Sequence, residues 1–147
     1  MDYKTTVKAR VLLSTSQTIV PTTWTLVNLD TIDYDLDGNF DTTLHRFVAP
    51  ISGYFLVIGS AGWTGTQNDK LYYMLLKRSG DPIAEGSIPA GLNGTTPDGP
   101  INIVSDVIPL QSGQYIDMWA YNSGTADATI GGISYNTFMS IHLLSKD

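Results

Sequence analysis

The chain has no cysteine, which excludes a disulfide framework, a thiolate metal site and a cysteine nucleophile. Histidine is nearly as scarce. His45 and His142 lie far apart in sequence, with no Glu or Cys spaced for zinc, and no Gly-x-Ser-x-Gly elbow offers an activated serine. Basic residues are outnumbered, 8 against 14 acidic, for a formal charge of -6, whereas a phosphate-binding face needs a cationic surplus, so nucleic acid is set aside. No run approaches the roughly 18 apolar residues of a membrane span, and the start carries no basic cluster followed by an apolar stretch, so neither membrane insertion nor a classical signal peptide is expected. Helical periodicity is missing as well, since no window sustains apolar residues at i, i+3, i+4 and i+7.

Among its 147 residues, 42% are hydrophobic and 15% charged, the balance of a folded chain with one core. Residues 1–6 read as a short lead-in and 7–147 as a single domain. Of the acidic residues only Glu85 is a glutamate; the rest are Asp, the acid of turns and loop starts rather than of exposed helices. Short apolar or alternating runs at residues 7–13, 23–29, 44–48, 53–61, 70–78, 101–109, 114–122 and 136–144 read as strands, separated by turn chemistry such as Asp37-Gly38-Asn39 and Gln111-Ser112-Gly113. Eight strands suit an all-β jelly roll of two antiparallel sheets. Residues 88–100, rich in Pro, Gly, Asn and Thr, read as a long loop, and Asn93-Gly94-Thr95 within it is a glycosylation sequon with no meaning in a microbial protein.

Several strands are apolar on both faces. Over 114–122, Ile116, Met118 and Ala120 alternate with Tyr115, Asp117, Trp119 and Tyr121; over 136–144, Met139, Ile141 and Leu143 alternate with Phe138, His142 and Leu144. One set of each faces a core, and the other needs a cover. A second copy of the chain supplies it in the simplest symmetric solution, so Tyr115, Trp119, Tyr121, Phe138 and His142 are the candidate subunit interface.

The stretch 22–63 reads Thr22-Thr23-Trp24-Thr25-Leu26-Val27-Asn28-Leu29-Asp30, then Tyr34-Asp35, Gly38-Asn39-Phe40-Asp41, and Phe47-Val48-Ala49-Pro50-Ile51-Ser52-Gly53-Tyr54. With Val104-Ser105-Asp106-Val107-Ile108-Pro109-Leu110, Gly113-Gln114-Tyr115, and the closing Gly131-Gly132-Ile133-Ser134-Tyr135, it resembles the complement C1q-like and tumour-necrosis-factor-like jelly-roll superfamily over nearly the whole chain. The absence of a collagen-like stalk and of cysteine favours the bacterial and bacteriophage branch. The resemblance implies ten strands in two five-stranded sheets, with short strands still to be found in 33–41 or 88–100, and a homotrimer joined through one sheet's edge and its aromatic residues. It also implies a non-enzymatic virion or extracellular component, a fibre, tail-tip or capsid-surface protein, that attaches to a host surface glycan or to a sibling virion protein.

Two further constellations bear on binding. Asp33, Asp35 and Asp37 followed by Gly38 match the first half of a calcium loop, but Leu44 stands where the bidentate glutamate belongs, and the competing reading is a structural turn. Ca2+ is thus the one candidate cofactor. Trp63 opens a loop with Gln67, Asn68 and Asp69, an aromatic beside amides that suits a glycan, against the alternative of a Trp packing the end of the sandwich. A ligand-free capsid decoration protein and a monomeric carbohydrate-binding module are the alternative functions.

Overall fold

The computed structural model describes residues 7–89, 100–132 and 136–147, and its regular structure is entirely β. In chain order the strands are β1 (Lys8–Leu12), β2 (Gln17–Ile19), β3 (Thr25–Leu26), β4 (Thr31–Asp35), β5 (Phe40–Asp41), β6 (Arg46–Val48), β7 (Gly53–Thr64), β8 (Leu71–Arg78), β9 (Asp81–Pro89), β10 (Ile101–Leu110), β11 (Tyr115–Asn122), β12 (Ala128–Ile130) and β13 (Phe138–Lys146). Period-2 patterning sets which side of each strand is buried. In β1, Ala9 and Val11 are buried between partly exposed Lys8, Arg10 and Leu12; in β13, Met139, Ile141 and Leu143 are buried as their alternation requires.

All strand pairs are antiparallel. The first sheet runs β10-β7-β13-β1-β4, with β12 and β2 continuing alongside the far end of β7. The second runs β9-β8-β11, after which β6 and β3 pair with different stretches of β11 and β5 lies outside β6. Among the described residues the sheets number seven and six strands, against the expected five and five. As expected, 33–41 contains strand, in β4 and β5; of 88–100, residues 90–99, including the sequon, lie outside the described residues. Strand β9 is the element the turn chemistry conceals. Its Pro82, Pro89 and Gly86 read as loop, but β9 is an edge strand, where a missing N–H removes no ladder bond. Conversely, the expected strand at 23–29 contracts to β3, although Val27 N–H still donates to the Met118 carbonyl at 2.8 Å.

The core lies between the sheets and is organised along the inward row of β7. Near its start Phe55 meets Phe47 of β6 edge to face, 5.9 Å between ring centroids; near its end Trp63 meets Tyr72 of β8 at 5.0 Å. Between them Gly59 makes room for Met118 and Met74 of the opposite sheet, whose Sδ and Cε would sit 2.8 and 3.2 Å from an added Cβ. At the open side Asn102 of β10, buried, donates from Nδ2 to the carbonyls of Tyr72 (3.2 Å) and Gly86 (3.1 Å), joining the two sheets with a satisfied polar bridge. Gly59→Val adds branched bulk against both methionines and is expected to cost on the order of 1–3 kcal/mol, read as a lower urea midpoint with unchanged m-value.

Candidate functional site

Each sheet turns one face outward, and the two faces differ in chemistry. On the first sheet, cross-strand register aligns Ile103 with Ser60 and Phe138, Ser105 with Ile58 and Ser140, and Val107 with Leu56 and His142. The aliphatic part is uncovered among the described residues: Ile103 is 61% exposed, Ile101 50%, Tyr54 46% and Val107 45%. Toward β1 and β4 the face becomes polar. His142 Nε2 and Tyr34 Oη share a 2.7 Å hydrogen bond, and the Arg10 guanidinium lies 4.4 Å from the Phe138 ring centre while pairing with Asp33 at 3.0 Å.

The outer face of the second sheet is aromatic and largely covers itself. Tyr121 pairs across strands with Tyr73, and the segment entering β3 lays Trp24 against both, at 5.0 and 6.2 Å between centroids. Lys77 Nζ stands 3.8 Å above Trp119 and the Arg46 guanidinium 4.2 Å above Tyr115. Between the two cations Asp117 is only 7% exposed and accepts a 2.8 Å bond from Trp119 Nε1–H. Burial raises the Asp117 pKa, against the hydrogen bond and the two cations that lower it. Each cation over a ring contributes about 0.5–1 kcal/mol at this exposure.

The five candidate interface residues are therefore divided. Phe138 and His142 lie on the outer face of the first sheet, and Tyr115, Trp119 and Tyr121 on that of the second, so they do not form one patch. The cover that Tyr115, Trp119 and Tyr121 require comes largely from Trp24, Lys77 and Arg46 of the same chain. The proposed glycan grip at Trp63 is corrected by burial: Trp63 is 0% exposed, inside the core. Gln67 works as a loop brace, its Oε1 accepting from the N–H groups of Thr125 (2.6 Å) and Ala126 (3.1 Å) and its Nε2 donating to Thr125 Oγ1. Asn68 and Asp69 are exposed in the same loop, Asp69 with a left-handed φ of 61°.

The calcium reading is likewise corrected. Asp35 accepts from the backbone N–H groups of Asn39 (3.0 Å) and Phe40 (2.8 Å), so it caps a turn; Asp33 faces Arg10; Asp37 is exposed at a φ of 75°. No group of three or more metal-ligating side chains converges among the described residues. His45 is also occupied, its Nδ1 2.8 Å from the Leu29 carbonyl oxygen. A cleft of about 260 Å³ between Tyr54, Arg78, Gln111, Gln114 and Asp147 is braced by Arg78 Nη1 donating to the Pro109 carbonyl. Sequence reasoning missed Tyr73, Lys77 and Glu85 as members of the aromatic face. The signal was their parity with Trp119 and Tyr121, which shows only once β8 is paired in register with β11 on one side and β9 on the other.

The class these sheets define is the two-sheet antiparallel jelly roll of tumour-necrosis-factor and complement C1q type. The chain is similar to the Eiger TNF structure from S. frugiperda (TM-score 0.71, 12% identity, 96% of this chain and 94% of that one). It is also similar to the globular domain of zebrafish complement 1qA (0.65, 13%, 97% and 99%) and to murine APRIL (0.72, 11%, 93% and 98%). Likeness at this identity speaks for the fold and not for a microbial or phage branch. No family model matches the sequence, and no curated protein matches it either. Among the described residues, no helix is long and apolar enough to cross a membrane.

Calcium or a chelator should leave the melting temperature unchanged, whereas Asp35→Ala, which strips two charge-assisted caps, should lower stability by about 1.5–3 kcal/mol in denaturant titration. The His142 pKa is lowered from its ordinary value of 6.5, by burial first and by Lys8 second. The unfolded chain then takes up this proton more readily, so the contribution of neutral His142 is fully present above 6.5 and is lost as pH falls through the depressed folded value. Melting temperatures measured between about pH 7.5 and 5 should fall for the wild type and fall less for His142→Gln.

Proposed function

We propose that this chain is a non-enzymatic attachment and assembly module that works as a homotrimer, closing the outer face of its first sheet against neighbouring copies and displaying that of the second. The observation that carries this reading is the apolar row on β10 and β7: Ile101, Ile103, Val107 and Tyr54 are each at least 45% exposed on one sheet face. Fully burying such a side chain contributes about 1.5–3 kcal/mol, which favours association over leaving the row in water. Phe138 and His142 belong to this contact; Tyr115, Trp119 and Tyr121 belong to the displayed face. Structural engagement of both histidines supports the non-enzymatic reading, since each has a ring nitrogen committed to a hydrogen bond within the fold. The resemblance of the sequence motifs to the microbial and phage branch supports a place on a virion or cell surface, binding a host surface or a sibling structural protein.

Sedimentation equilibrium tests the assembly. A mass near three times 16.0 kDa is expected, and a single-chain mass would overturn the trimer. Ile103→Asp should give single chains with an unchanged circular dichroism spectrum, because an unpaired carboxylate is costly to bury in an apolar contact, whereas Trp119→Ala should leave the trimer intact.

A further inference from the structure

We infer that the outer face of the second sheet is a saccharide site, with Trp24, Tyr73 and Tyr121 as its stacking platform and Glu85 as an acceptor for sugar hydroxyls. The ligand class is a neutral hexopyranose chain. The inference deepens the attachment reading and rests on it for the biological role, but the site lies within one chain.

Three observations converge. The rings of Trp24, Tyr73 and Tyr121 are mutually in contact, 5.0 to 6.2 Å between centroids, and all three remain partly exposed. Their polar edges are unspent: Trp24 Nε1, Tyr73 Oη and Tyr121 Oη make no hydrogen bond among the described residues. Glu85 lies one step along the same face, paired across strands with Leu75 where Tyr73 pairs with Ser87. Its carboxylate is exposed and makes no ion pair among the described residues, and it lines a cleft of about 240 Å³ together with Leu75 and Ile83.

The ligand follows from what each candidate would leave unsatisfied. A dry aliphatic surface, suited to Ile103 and Val107 on the other face, would strand three polar edges and a carboxylate, each at a free-energy cost. An anionic sugar would meet Glu85 on a chain of net charge -6. A cationic ligand would pair with Glu85 but offers no acceptor for the Trp24 Nε1–H donor. A neutral pyranose offers axial C–H groups to the rings and hydroxyls to their rims and to Glu85, so it satisfies both kinds of surface at once.

The full chain, titrated with maltohexaose, cellohexaose and chitohexaose by saturation-transfer NMR and calorimetry, tests the site. At least one should bind. Trp24→Ala should weaken that sugar about tenfold or more, and Tyr73→Phe with Tyr121→Phe, which keeps the rings and removes both hydroxyls, should weaken it several-fold. Silence of all three sugars at about 10 mM, or binding unchanged in Trp24→Ala and in the double Phe variant, would overturn the inference. The Ile103→Asp variant separates this result from the trimer: equal affinity per chain in solution, with weaker retention on a sugar-coated surface, is expected. A wild type of single-chain mass that still binds sugar would leave the site standing while the trimer falls.

Discussion

The fold depends on how closely the two sheets approach along β7. That strand pairs with β10 on one side and with β13 and β12 on the other, so it holds the first sheet together, while its inward row makes the contacts that hold the second. Phe55 against Phe47 and Trp63 against Tyr72 fix the separation at either end, and Gly59 permits Met74 and Met118 to fill the middle. Native interiors are packed as densely as organic crystals, so a change in this spacing would be felt on both sheets. The outer faces inherit their register from it. Tyr73 and Tyr121 lie side by side because Met74 and Ala120, their inward neighbours, are held in the core.

With the core fixed, the two outer faces solve the problem of surplus apolar surface in different ways. The second sheet places cations over rings, buries Asp117 between the cations, and leaves Leu75 only 5% exposed although it points outward. The first sheet leaves aliphatic side chains open along its edge strand. These are different physical situations: one face is satisfied apart from a few polar edges, and the other leaves apolar side chains in water. In the proposed reading one face assembles and the other binds, and in a threefold assembly the binding faces would multiply avidity without any new contact.

Much of the fold was legible because period-2 patterning is a local property. The burial of Ile116, Met118 and Ala120, and of Met139, Ile141 and Leu143, follows directly from their alternation, and the motifs around Pro50-Ile51-Ser52-Gly53 pointed to the jelly roll. Strand β9 was hidden because its two prolines break a propensity argument that an edge position makes irrelevant. The sites were harder to see. Trp63, Gln67 and Asp35 each present polar or aromatic groups in a turn-rich sequence, and only three-dimensional partners reveal that all three are spent on the fold itself. Trp24, from the segment entering β3, and Tyr73 and Glu85, from β8 and β9, share one face through long-range pairing, which no local pattern encodes.

The prolines of the outermost strands bear on how such a protein avoids growing into fibrils. An exposed strand edge is a template onto which another chain can extend the sheet without limit. Here β9 carries Pro82 and Pro89, β10 carries Pro109, and the opposite margins end in the short strands β4, β5 and β2. Hydrogen-bonded extension is thereby interrupted at the margins while the sticky surface sits on a face. Association directed through a face can close on itself after a fixed number of copies, so the proposed assembly would proceed through side chains and leave the strand edges of the described residues out of it.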